Sequence, residues 1–137
     1  MTTIAASVAD GVMCSDSNWT DGDSCGTTRK VHRVRGELIG LAGDLCEHQA
    51  WLADYRAGRK LSPKHINAIR LSSTGLSVWD CPNGWTDVGK QFAIGSGGKV
   101  ARGALAAGAT CRQAVRIAVD IDAGTGGRVR QYKLRTT

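Results

Sequence analysis

Apolar and polar residues alternate from the start of the chain. Ile4, Ala6 and Val8 interleave with Thr3, Ala5 and Ser7, the period-two pattern of a half-buried strand. Asp10-Gly11 predicts a tight primed turn, because both residues tolerate positive φ, and residues 12–15 read as the returning strand. The polar, glycine-containing stretch over 18–28 predicts a loop. Residues 30–34 and 37–43 form two more strand-like runs, joined by Arg35-Gly36. From Asp44 the period lengthens: Leu45, His48, Trp51, Leu52 and Tyr55 share one helical face, and Gly58 marks the stop. Ser62-Pro63 predicts the opening of a short second helix, with Ser as N-cap and Pro at the first helical position. Residues 76–80 and 85–88 flank Cys81-Pro82-Asn83-Gly84, a hairpin signal through Asn-Gly. A short strand over 92–94 runs into Gly95-Ser96-Gly97-Gly98. Two helices follow, over 99–107 and around Ala114, Val115, Ala118 and Val119, and residues 128–134 read as a closing strand. This order of strands, helix, strands, two helices and strand predicts an α+β layered domain rather than a doubly wound sheet. With no internal repeat and no linker, residues 1–137 are expected to form one domain.

Composition narrows the function classes. At 137 residues, 42% hydrophobic and 22% charged, the chain excludes global disorder. No run reaches the ~18–20 apolar residues of a membrane span, and the first residues lack the cationic and apolar regions of a signal peptide. A soluble, cytoplasmic protein is expected. Eighteen Lys+Arg against 12 Asp+Glu leave +6, but these charges are not interleaved with aromatics in one tract. A solvated basic surface is therefore favoured over nucleic-acid binding. The five cysteines never form a CxxC pair, which favours reduced thiols. Cys46 and His48 lie close without a second ligand pair, and His32 and His65 add no metal spacing. Asn18, Asp21 and Asp23 resemble half a calcium loop without its closing Glu.

Thr2 carries the sharpest chemistry. Aminopeptidases remove Met before small residues, so the mature chain is expected to begin at Thr2 with Met1 lost. A threonine hydroxyl needs a base to become nucleophilic, and a free α-amine, with an unperturbed pKa of ~7.7–8.0, is such a base.

Several blocks extend this reading. Thr2-Thr3-Ile4, Ser15-Asp16, Arg29-Lys30-Val31, Leu41-Ala42-Gly43-Asp44, Ala93 to Gly98, and Asp122-Ala123-Gly124-Thr125-Gly126-Gly127 occur in that order. Together they resemble the proteasome β-subunit family of N-terminal-nucleophile threonine peptidases, which includes the HslV type. The resemblance implies a four-layer αββα sandwich. It makes Thr2 the nucleophile and Lys30 the catalytic lysine, with Asp16 as its counter-ion. It makes Gly40 the backbone donor to the oxyanion and places Leu38 in the S1 pocket, favouring apolar P1 residues. It gives Ser96, Asp122 and Thr125 the task of holding the amine. Threonine replaces the family's serine at 125, and Asp120 competes with Asp122 if the alignment slips by two.

The family carries two long helices where residues 44–72 hold one good helix and at most a short second, so part of a helical layer is expected to be trimmed. The resemblance further implies a polypeptide substrate, a homo-oligomeric ring and room for an ATP-dependent unfoldase. It implies no organic cofactor, with room for a monovalent cation near the site. Two other readings stay open from sequence: a non-peptidase amidase with the same nucleophile, and an inactive assembly or basic binding subunit.

Overall fold

A computed structural model describes residues 2–21, 24–62 and 65–135, with the side chain of Asp21 left out. Met1, Asp23 and Pro63 lie outside the described residues, and with them the N-terminal processing, part of the calcium-like stretch and the first position of the expected second helix. The chain runs β1 (Ile4–Ser7), β2 (Val12–Ser15), β3 (Asn18–Asp21), β4 (Ser24–Thr27), β5 (Val31–Val34), β6 (Glu37–Gly43), α1 (Leu45–Ala57), β7 (Ile66–Ser72), β8 (Gly75–Asp80), β9 (Gly84–Asp87), β10 (Gln91–Ile94), α2 (Gly98–Ala106), α3 (Cys111–Ile121) and β11 (Arg130–Lys133). One antiparallel sheet has the order β10-β1-β2-β11, a second the order β5-β6-β7-β8-β9, and β3-β4 is a separate ribbon.

The result is the expected α+β sandwich. Ile4, Ala6, Met13, Leu38, Ile69 and Leu71 fill the space between the two sheets. Outside the four-stranded sheet, α2 and α3 bury Ala101, Leu105, Ala114 and Val115 against Ala5, Cys14 and Ala93. Outside the five-stranded sheet, α1 alone buries Trp51, Leu52 and Tyr55 against Ile39, Leu41, Ile66 and Trp79. The trimmed layer is this one.

Four local expectations change. β1 is buried on both faces rather than one: Ile4, Ala5 and Ala6 are all 0% exposed, because a sheet covers one side and helices the other. The β1–β2 connection is longer than two residues. Gly11 N–H bonds to the Val8 carbonyl at 3.2 Å, and Gly11 takes the left-handed position at φ 63, as in a type I turn followed by a glycine bulge. The stretch over 18–28 holds the β3–β4 ribbon. Where a second short helix was expected, Ser62 is not helical and β7 begins at Ile66; Ile66, Ala68, Ile69 and Leu71 are buried as a central strand requires. The Arg35-Gly36 turn forms as read, with both residues at positive φ, 50 and 79.

Candidate active site

Two ends of the α2/α3 layer converge on Thr2. The turn from β10 into α2 brings Ser96, whose Oγ accepts from Thr2 N–H at 3.2 Å, while Gly97 N–H donates to the Thr2 carbonyl at 3.3 Å. The C-terminus of α3 brings Asp122. Its Oδ2 accepts from Ser96 Oγ at 2.7 Å and from Thr125 Oγ1 at 2.6 Å. These hydrogen bonds, Thr125 first and Ser96 second, hold the Asp122 carboxyl below its ordinary value. Glycine is required at two points of the turn. A Cβ at Gly95, which sits at φ +97, would run into the Thr2 carbonyl, and one at Gly97 would run into the Thr3 hydroxyl.

A second network lies beneath. Asp16, 0% exposed at the end of β2, accepts Lys30 Nζ at 2.9 Å and Thr3 N–H at 3.1 Å on Oδ1. Its Oδ2 accepts Gly126 N–H at 3.1 Å. Burial pushes the Lys30 ammonium below its ordinary pKa, and the charge and hydrogen bond of Asp16 oppose the shift. Thr3 joins the two networks, because its hydroxyl meets Thr125 Oγ1 at 2.7 Å. With the Thr125 proton engaged on Asp122, Thr3 is the donor.

Thr2, Lys30 and Ser96 open onto a cleft of about 1240 Å³. Leu45, Cys46 and His48 from α1, Lys99 and Arg102 from α2, and Trp19 and Phe92 complete much of its lining. Leu45, read as a buried face residue of α1, is instead 42% exposed at this cleft. Cys46 is an exposed free thiol, whereas burial pushes the Cys14 and Cys111 thiols up to about 11 and about 12.

Thr2, Asp16, Lys30, Ser96, Asp122 and Thr125 are therefore brought together, and Asp122 rather than Asp120 accepts these bonds. Gly40 and Leu38 are placed elsewhere. Both lie on the inward side of β6, in the packing between the sheets, and neither lines the cleft. A Cβ at Gly40 would come within 2.8 Å of Ile4 and 2.9 Å of Ile69, so close packing alone demands its small size. Sequence reasoning missed Thr3, whose alternation suggested a polar outer face; His48, read on the inward face of α1, is buried and lines the cleft. Among the described residues, Asp44, Glu47 and His65 bring three ligand-type atoms within 4.8 Å of one another. Glu47 already accepts from the His65 backbone N–H at 3.0 Å, and the three side chains form a polar cluster with Asp44 and His65 exposed. No helix among the described residues is long and apolar enough to cross a membrane.

No family model matches the sequence, and no curated protein matches it. Solved structures do match by shape. BPH from Thiobacillus denitrificans in complex with epoxomicin superposes with a TM-score of 0.80 at 17% identity, over 98% of this chain and 100% of that one. A second structure of that BPH gives 0.76 at 17% identity, over 99% of each chain. HslV from Trypanosoma brucei gives 0.77 at 20% identity, over 96% of this chain and 98% of the other. Over 96% of its length, the chain has the fold of HslV.

Proposed function

We propose that the protein is a threonine-type endopeptidase whose nucleophile is Thr2, made the chain terminus by removal of Met1. The observation that carries this reading is the convergence on one residue: Thr2 nitrogen rests on Ser96 Oγ at 3.2 Å in a cleft shared with the buried Lys30–Asp16 pair. The HslV-like fold supports it.

In the proposed reaction the Thr2 amine takes the hydroxyl proton as Oγ attacks the peptide carbonyl carbon. Collapse of the tetrahedral intermediate breaks the C–N bond, the ammonium returns its proton to the leaving amine, and an ester remains on Oγ. Water, deprotonated by the same amine, attacks the ester and frees the acid and Thr2. Lys30 lowers the proton affinity of the hydroxyl by its charge. Ser96, held by Asp122, fixes where the amine sits; Thr125 holds Asp122, and Thr3 holds Thr125. No step needs an organic cofactor; a monovalent cation near the site is compatible with these steps.

Cleavage of fluorogenic peptides by the processed protein tests the reading. Thr2→Ala should abolish turnover, and Lys30→Ala should reduce it by about a hundredfold or more. Turnover surviving Thr2→Ala would overturn it. The HslV-like fold also supports a homo-oligomeric ring acting on polypeptides, for which we propose an ATP-driven unfoldase as partner. A stable monomer in sedimentation at micromolar concentration would exclude the ring.

A further inference from the structure

His32, half-buried, and His48, buried, are imidazoles that the proposed reaction leaves unused. His32 lies on β5 opposite Ile39, and cross-strand partners share a face, so it faces the α1 side, where Ile39 packs. His48, 5% exposed, lies in the second turn of α1 and reaches the Thr2 cleft. Among the described residues, Nε2 of each ring is buried without a hydrogen-bond partner, a costly arrangement that protonation would worsen. The two rings have different electrostatic surroundings. His32 faces His48, Arg56 of α1 and Arg29 ahead of β5. His48 faces Lys30, while the Gly43 carbonyl, Asp44 and Glu47 pull the other way.

We propose that His32 and His48 form an acid-operated latch: protons taken up in the seam between β5 and α1 loosen this helix, and with it the cleft wall formed by Leu45, Cys46 and His48. Burial lowers both imidazoles from 6.5, His32 to about 4 and His48 in the same direction. The sign follows from the lowered values. The unfolded or opened seam binds more protons, so the latch is fully closed above pH 6.5 and weakens as pH falls from there toward about 4. Opening should grow by up to about tenfold per pH unit for each imidazole released. Helices α2 and α3 contain no histidine and serve as an internal reference.

The test is a histidine NMR titration of the full chain, paired with amide exchange from pH 7 to 4.5 corrected for intrinsic rates. The latch predicts that the His32 and His48 imidazoles titrate below their ordinary range, with α1 protection falling about tenfold or more per pH unit relative to α2 and α3. His32 and His48 titrating near 6.5, or α1 protection running parallel to α2 and α3, would overturn it. The double variant His32→Gln/His48→Gln should lose the difference between the layers; persistence of that difference would equally overturn the latch. Neither readout depends on chemistry at Thr2, so the latch and the peptidase reading fail separately.

Discussion

The two helical layers solve the same packing problem with opposite materials. Over the five-stranded sheet, one helix spreads Trp51, Leu52 and Tyr55. Trp51 stacks on Tyr55 at 5.2 Å between ring centroids and meets Trp79 and Trp85 edge-on. Arg70 closes over the Trp85 ring at 4.0 Å. Large side chains thus do the covering that a second helix would otherwise do. Over the four-stranded sheet, two helices approach through Ala101, Ala114 and Ala118, all 0% exposed. Small residues there let backbone come close, and that closeness carries Ser96, Gly97 and Asp122 to Thr2. The difference separates duties: the aromatic layer secures the fold, and the alanine layer sets the site.

Several substitutions break or sharpen this division. Asp16→Ala should be the most damaging, destabilising the protein by about 3–5 kcal/mol because it removes the buried carboxylate that accepts from Lys30 Nζ, Thr3 N–H and Gly126 N–H; chemical denaturation reads the loss directly. Trp51→Ala should also cost about 3–5 kcal/mol by opening a cavity in the aromatic layer, yet the fraction that remains folded should keep its reactivity at Thr2. Ala114→Leu reverses that balance. Overpacking should cost only about 1–3 kcal/mol, but pushing α3 outward displaces Asp122, so peptide turnover should fall out of proportion to stability. Acid distinguishes the layers a second way. The Asp122 carboxyl, held below 3.8 by its hydrogen bonds, contributes stability that is present above the unfolded value and lost only as pH falls through the folded one. The Ser96–Asp122–Thr125 network should therefore survive acid that already loosens α1. Thr125→Ser should have the least effect, since the hydroxyl remains for Asp122 and Thr3; turnover should change by less than about threefold, under ~1 kcal/mol.

Most of the site was legible because it is local. Lys30, Asp16, Ser96 and Asp122 stand in short blocks that the resemblance matched one by one, and the structure brings these four residues together near Thr2; Gly95 and Gly97 occupy a turn that admits no side chain. Leu38 and Gly40 were misplaced because a resemblance fixes position along a strand but not which space its inward face enters; here that space is filled by Ile4 and Ile69. Thr3 was hidden by alternation, which cannot distinguish a solvated polar face from one buried against a second layer. The strand at Ile66 lost to Ser62-Pro63, a helix-start signal that tertiary pairing with Leu41 and Val78 neighbours overrode. The capping box at Thr110 and Gln113, with Gln113 N–H on Thr110 Oγ1 at 3.2 Å, was a readable signal for the start of α3 that periodicity alone passed over.

The most direct test of the central claim is intact mass after incubation with a peptide epoxyketone such as epoxomicin, whose full adduct requires a free amine and its neighbouring hydroxyl. The account predicts a chain lacking Met1 that gains one adduct, with no adduct in Thr2→Ala. A chain lacking Met1 that stays unmodified, or one that keeps Met1, would contradict it.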